Sequence, residues 1–112
     1  MSKSNQVYLQ DMLGALERIE EYSSASGLEE LIADHMRTDA IIRQLAVLGE
    51  AANRLSEEFL EMYPDFPARE AVAMRNFLVH DYDNVQIETV WQTLLTDLPS
   101  LKATIITITS AA

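Results

Sequence analysis

Residues 41–52 read Ile-Ile-Arg-Gln-Leu-Ala-Val-Leu-Gly-Glu-Ala-Ala and begin the longest helical pattern of the chain. From this point, apolar residues alternate steps of four and three, at Ile41, Leu45, Leu48, Ala52, Leu55, Phe59 and Met62. Such spacing forms one apolar seam along a helix and is typical of helical bundles and helical dimers. We therefore predict a helix over about residues 36–62. Its seam is either the core of the chain or an interface with a partner protein.

The flanking sequence carries further helical patterns. Residues 4–23, 67–80 and 85–98 each place apolar side chains at helical spacing, a shorter pattern covers 27–33, and the stripe of the last helix continues over 104–112. Only 3 Gly and 3 Pro occur among the 112 residues, which favours long helices over many short strands. We predict an all-α fold, an antiparallel bundle of four to five helices, with residues 1–112 forming a single domain.

Composition narrows the class of protein. With 48% hydrophobic residues the chain can form a core, and the absence of cysteine excludes disulfides and thiolate chemistry and fits a reducing cytoplasm. We expect no signal peptide and no membrane span. The net charge is −10, and the acidic residues are spread along the chain. Because an acidic surface repels nucleic acid, binding to RNA would need a local basic cleft. Otherwise the charge serves a basic protein partner or solubility.

Chemistry-bearing residues concentrate in residues 75–82, Arg-Asn-Phe-Leu-Val-His-Asp-Tyr. The guanidinium of Arg75 has the donor geometry that suits phosphate oxygens. The imidazole of His80 can take or give a proton near neutral pH. Together they can cleave a phosphodiester without a metal. A structural role is the alternative, with Arg75 in a surface ion pair and with His80 and Tyr82 closing a helix end.

The spacing of these two residues sets a geometric problem. On a regular helix, Arg75 and His80 point about 140° apart because they are five residues apart. Either the helix loosens near His80, or the active arrangement needs a second copy of the chain. A two-fold dimer that brings two such segments together would solve the problem by symmetry.

Two other groups of residues carry titratable side chains of interest. Asp34, His35 and Asp39 could suggest a metal site, although exposed helix-end residues explain them more simply. Glu50 falls beside the apolar seam and could form an ion pair with Arg75 or with another arginine.

Four stretches together resemble the HepT-type branch of the HEPN superfamily. The resemblance runs from Ile41 to Lys102, while the first 35 residues match only in being helical. The matching stretches are residues 40–52, the break from Tyr63-Pro64 to Pro67, residues 74–82 with the Arg-x4-His-x-Tyr spacing, and residues 90–102 with Val-Trp and Asp-Leu-Pro-Ser-Leu-Lys.

This resemblance implies properties that periodicity does not show. Proteins of this branch are all-helical bundles that form homodimers, with two Arg-x4-His segments around a shared cleft. Many are metal-independent endoribonucleases that act as toxins and need no cofactor. Their partner is an MNT-type nucleotidyltransferase, which serves as the antitoxin and transfers AMP to the tyrosine of His-x-Tyr.

Carried over to this chain, the resemblance assigns four residues. Arg75 would bind the scissile phosphate and stabilise the transition state. His80 would be the general base for the ribose 2′-hydroxyl or the acid for the leaving oxygen. Asn76 would orient the substrate or the imidazole, and Tyr82 would accept AMP. No residue is implied as a metal ligand.

The chain is acidic, and few further basic residues lie near the Arg-x4-His motif to line an RNA cleft. Arg43, Arg54 and Arg69 are the candidates, unless they are ordinary solvated helix residues. The sequence is compatible with two other functions. One is a non-catalytic subunit that presents nucleotide or substrate to a nucleotidyltransferase, and the other is a helical interaction protein that binds through the seam of residues 41–62.

Overall fold

The computed structural model describes residues 2–24, 27–81 and 86–111, and every regular element in these ranges is helical. The elements are α1 (Lys3–Ser23), α2 (Leu28–Ala33), α3 (His35–Asn53), α4 (Glu57–Met62), α5 (Ala68–His80), α6 (Ile87–Gln92), a π-helical segment (Thr93–Asp97) and α7 (Leu98–Ala111). The all-α prediction is confirmed. The four long units of the bundle are α1, α3, α5 and the continuous rod of α6, the π-helical segment and α7, and α2 and α4 are short additions.

Helix α3 is the centre of the bundle and packs against both α1 and α5. Its seam is buried inside the chain, with Ile41 fully inaccessible to solvent and Leu45, Leu48 and Ala52 at most 3% exposed. The seam continues into the core through Leu55 and Phe59, whereas Met62 is 66% exposed. The seam is therefore the core of this chain, and the interpretation of the seam as a partner interface is wrong.

The predicted helix over 36–62 is interrupted after Asn53. A new helix, α4, starts at Glu57, and the hydroxyl of Ser56 caps it by accepting a hydrogen bond from Phe59 N at 3.1 Å. Asn5 of α1 holds this junction in place. Its amide donates to Ser56 Oγ at 2.8 Å, and its Oδ1 accepts from Ser56 N at 3.0 Å. Because Asn5 is buried, this pair of bonds satisfies side-chain atoms that would otherwise lack partners.

Helices α3 and α5 come closest at Gly49. A Cβ atom at this position would clash with the Cβ of Arg75 and would lie 2.6 Å from the backbone oxygen of Ala71. Only a glycine therefore permits this separation of the two helices. The close approach brings Arg75 of α5 beside Glu50, which follows Gly49 on α3.

The outer face of α5 is more apolar than the helical pattern predicted. Helical spacing predicts that Ala71, Met74, Phe77 and Leu78 form the buried face of this helix. Leu78 is buried, but Phe77 is 46% exposed, and Val79 is 48% exposed. Both lie in the last turn of α5. This end of the helix thus presents two large apolar side chains to solvent.

The last rod contains an irregularity that precedes Pro99. The ring of Pro99 removes one backbone donor and cannot be placed against the carbonyl four residues earlier in an α-helix. The π-helical segment Thr93–Asp97 accommodates it, because the N–H of Leu98 donates to the carbonyl of Thr93, five residues back. Of the described helices, none is both long enough and apolar enough to cross a membrane.

Candidate active site

Arg75 is fixed between two neighbours at the crossing of α3 and α5. Its Nη2 lies 3.4 Å from Oε1 of Glu50, and its Nη1 donates to Oδ1 of Asn76 at 3.0 Å. The side chains of Arg75 and Glu50 are 31% and 44% exposed, so solvent screens the pair and it contributes little to stability. We conclude that the pair mainly orients the guanidinium. The pairing of Glu50 with Arg75 that the sequence suggested is confirmed.

The guanidinium of Arg75 keeps donors available. Arginine carries five N–H groups in a fixed fork, and the described neighbours of Arg75 accept from one Nη1 and one Nη2 hydrogen. The Nε of Arg75 is buried and has no hydrogen-bond partner among the described residues. The remaining Nη hydrogens of a partly exposed, oriented guanidinium can bind the oxygens of a phosphate.

His80 is the last residue of α5 and is exposed. The α-helix stays regular to its end, since Asp81 N donates to Phe77 O at 2.9 Å. Of the two possibilities that the sequence left open, loosening of the helix near His80 is therefore wrong. Arg75 and His80 lie about 140° apart around the axis and about 7.5 Å apart along it. One copy of the chain does not direct both side chains toward the same point.

The structure describes the contacts of Asn76 but not those of Tyr82. The exposed amide of Asn76 accepts from Arg75, so in this structure its first contact is with the guanidinium, whereas the sequence had linked it to substrate or imidazole. Tyr82 lies outside the described residues.

The remaining candidate residues are the arginines proposed for an RNA cleft and the acidic residues near His35. Arg69 and Arg54 each line a groove beside the end of α3, while Arg43 is exposed two helical turns before Glu50. Asp34 caps α3, with its Oδ1 accepting from Arg37 N at 3.0 Å. Within the described ranges no group of three or more His, Asp or Glu side chains is placed to hold a metal ion.

Sequence reasoning missed one residue near the site. Asn53, the last residue of α3, lines the same groove as Asn76 and Arg69. Its position depends on α3 ending there, and the apolar seam gave no sign of that end because it continues in phase through Leu55 and Phe59. The signal that could have revealed it is Ser56 followed by Glu57 and Glu58, a typical helix start.

Comparison with known proteins identifies the family of the chain. The family model described as ribonuclease HepT-like matches residues 12–108. A protein named "Probable ribonuclease HepT" from Thermococcus cleftensis is 36% identical over 102 residues, which cover 91% of this chain and 93% of that relative. No solved structure matches the chain significantly.

Two further relatives carry the name "Putative RNase". One, from Caldanaerobacter subterraneus subsp. tengcongensis, is 32% identical over 100 residues, covering 89% of each chain. The other, from Methanocaldococcus jannaschii, is 31% identical over 103 residues, covering 91% of this chain and 94% of the relative. The chain therefore belongs to the HepT-like ribonuclease family, an all-α class within the HEPN superfamily.

Proposed function

We propose that this protein is a metal-independent endoribonuclease in which residues 1–112 form one catalytic domain. The observation that carries the proposal is the guanidinium of Arg75, which Glu50 and Asn76 orient while it keeps donors for a phosphate. An exposed imidazole, His80, ends the same helix. The membership of the chain in a ribonuclease family supports the same conclusion.

The proposed reaction uses the ribose 2′-hydroxyl as nucleophile. His80 takes the proton of this hydroxyl, and the 2′ oxygen attacks the adjacent phosphorus atom. The bond from phosphorus to the 5′ oxygen breaks, and the departing oxygen takes a proton from water. The hydroxide ion that this leaves takes the proton held by His80, which restores the neutral imidazole. The products are a 2′,3′-cyclic phosphate and a 5′-hydroxyl. Arg75 donates to the non-bridging phosphate oxygens, whose negative charge grows in the transition state.

A homodimer is part of the proposal, because Arg75 and His80 of one copy diverge. Phe77 and Val79 flank His80 on the exposed side of α5, at 46% and 48% exposure. Two apolar side chains on one helix end favour burial against a second copy of the same surface. A two-fold axis near this end would place Arg75 of one copy opposite His80 of the other, around a shared cleft.

We further propose that the protein is the toxin of a toxin–antitoxin pair. Its partner would be an MNT-type nucleotidyltransferase that transfers AMP to Tyr82. Tyr82 follows the exposed His80 by two residues, so an AMP group there would add bulk and negative charge beside the cleft. Both effects would exclude an RNA phosphate.

The alternative is a non-catalytic subunit that binds nucleotide or substrate for such a transferase. The net charge of −10 is the observation that favours it, because this charge opposes RNA binding. In that case Arg75 would still bind a phosphate, and His80 would be structural.

Cleavage of a tRNA pool in EDTA tests the proposal. The protein is first shown by intact mass to be unmodified at Tyr82, and it is compared with His80→Ala. The matched control is His35→Ala, since His35 is the other histidine and is also exposed at a helix end. We expect cleavage by the parent and by the control, and a loss of at least about a hundredfold in His80→Ala. Equal inactivity of parent and His80→Ala would favour the binding subunit.

A further inference from the structure

A groove beside Arg75 has the chemistry of a nucleotide-binding subsite. It has a volume of about 400 Å³ and lies between the end of α3, α4 and the outer side of α5. Leu55, Leu60 and Val72 contribute apolar surface to it, and its polar lining consists of Asn53, Asn76 and Arg69. A volume of this size lies within the range of small-molecule sites and can hold one nucleotide.

The groove adjoins the candidate active site through Asn76. The Oδ1 of this residue accepts a hydrogen bond from Arg75, and Asn76 also lines the groove. Along α5, Arg69, Asn76 and His80 are separated by seven and four residues, which places them within about 40° of one another on one face of the helix. The groove therefore extends along the same face that presents His80, away from Arg75.

Arg69 has no evident role in the fold. It is exposed and forms no ion pair within the described part of the chain. It also occupies the first turn of α5, where the helix dipole disfavours a cation. Although α4 carries Glu57, Glu58 and Glu61, none of these carboxylates lines the groove. In a chain of net charge −10, this groove thus combines a cation with a lining free of acidic side chains.

We propose that this groove binds the RNA nucleotide next to the scissile phosphate. Arg69 binds the far phosphate of that nucleotide, the apolar surface packs against the base, and the amides of Asn53 and Asn76 hydrogen-bond to base edges. An asparagine amide offers both donors and an acceptor, so the pair can discriminate between bases. The occupant is single-stranded RNA, because an exposed base edge is needed. This inference rests on the proposed ribonuclease function.

The test separates binding from cleavage. Binding of a fluorescent single-stranded oligonucleotide with 2′-O-methyl groups, which cannot be cleaved by attack of the 2′-hydroxyl, is measured as a function of salt. The variants are Arg69→Gln and Asn53→Ala, with Arg43→Gln as the matched control. Arg43 was a candidate from the sequence, but it is an exposed arginine that lines neither this groove nor the groove at Arg54. Thermal unfolding of each variant verifies that the fold is intact.

We expect Arg69→Gln to weaken binding about three- to tenfold and to lower the slope of log affinity against log salt by about 0.7, the value for one phosphate contact with a single strand. Asn53→Ala should change the base preference at one position when cleavage of a randomised RNA library is sequenced. Arg43→Gln should behave like the parent in both assays.

The outcomes distinguish the two proposals. If cleavage depends on His80 but Arg69→Gln and Asn53→Ala match Arg43→Gln, the subsite is wrong and the ribonuclease function stands. If the parent binds the oligonucleotide through Arg69 without cleaving any RNA, the groove is a nucleotide-binding site and the ribonuclease function is wrong. If the parent neither binds nor cleaves, both proposals are overturned.

Discussion

Glu50 on α3 lies 3.4 Å from Arg75 on α5, across the point where Gly49 allows the two helices to touch. The pair joins residues 25 positions apart in the sequence. One acidic residue thereby limits the directions in which the proposed phosphate-binding group can point. Screening by solvent makes the pair weak as a source of stability, so its effect should appear in catalysis.

Replacing Glu50 by Gln should separate orientation from stability. The amide keeps the size of the side chain but removes the charge that aligns the guanidinium, so we expect kcat to fall about ten- to a hundredfold. The free energy of unfolding should change by less than about 1 kcal/mol. Single-turnover RNA cleavage and urea unfolding measure the two quantities. A variant with parental kcat would show that Asn76 alone suffices to orient Arg75.

Gly49→Ala and Gly14→Ala form a matched pair for the helix crossing. The new methyl at Gly49 would meet the backbone of α5, so we expect a loss of about 1–3 kcal/mol in the free energy of unfolding. At Gly14, inside α1, no neighbouring atom lies within 4 Å of an added Cβ. There alanine should stabilise the protein by about 0.5–1 kcal/mol, through helix propensity. Chemical denaturation of both variants decides the matter, and equal effects would contradict the close crossing.

Mixing two inactive variants tests the composite cleft. Arg75→Ala and His80→Ala should each lack activity, but a mixed dimer would restore one cleft with both groups. About a quarter of the parental activity should return after subunits are exchanged, because half of the random dimers are mixed and each has one intact cleft. Adding Phe77→Glu to both variants should abolish this recovery by breaking the dimer. Recovery of activity in a mixture that Phe77→Glu keeps monomeric would refute the arrangement.

Tyr82→Phe tests the proposed regulation. The variant lacks the phenol oxygen that would accept AMP, so co-expression with an MNT-type nucleotidyltransferase should leave its intact mass unchanged. The parent should gain the mass of AMP and lose RNA cleavage. Tyr63, which is half-buried beside Phe59, provides a control, and Tyr63→Phe should still be modified. Modification of Tyr82→Phe would place the acceptor elsewhere.

Asn5→Ala should destabilise the fold without touching the cleft. The substitution removes both hydrogen bonds to Ser56 and leaves the polar groups of Ser56 without a side-chain partner. We expect a loss of about 2–3 kcal/mol in the free energy of unfolding, from two partly buried bonds. RNA cleavage well below the melting temperature should remain parental. The comparison of thermal unfolding with activity at low temperature verifies both expectations.

The sequence predicted those parts of the fold that depend on periodicity. The seam from Ile41 to Phe59 is the core because its spacing leaves one buried face. The break after Asn53 escaped prediction, since Leu55 and Phe59 stay in phase across it. Phe77 has the helical spacing of a core residue, but it lines an open cavity between α5 and α6 and stays 46% exposed. Spacing along one helix does not specify how closely the next helix packs against it.

The sequence identified the residue types of the candidate site, but it identified their contacts only in part. The sequence indicated Arg75 and His80 by residue type, and it left the partner of Glu50 open between Arg75 and another arginine, which the crossing of α3 and α5 decides. It gave no sign of the groove at Asn53. That groove requires the end of α3, the start of α4 and the outer face of α5 together, and no local pattern specifies such a meeting of three elements.

The π-helical segment before Pro99 predicts a difference in length between this chain and homologues that lack the proline. A π turn contains one residue more than the α turn it replaces, so the flanking helices keep their phase if that residue is deleted. Homologues in which Pro99 is replaced by a residue with a backbone N–H have no need of the extra residue. Aligned sequences should therefore show a one-residue gap within 93–97 that accompanies the loss of the proline. A designed deletion of one residue there should be tolerated when Pro99 is replaced by alanine at the same time.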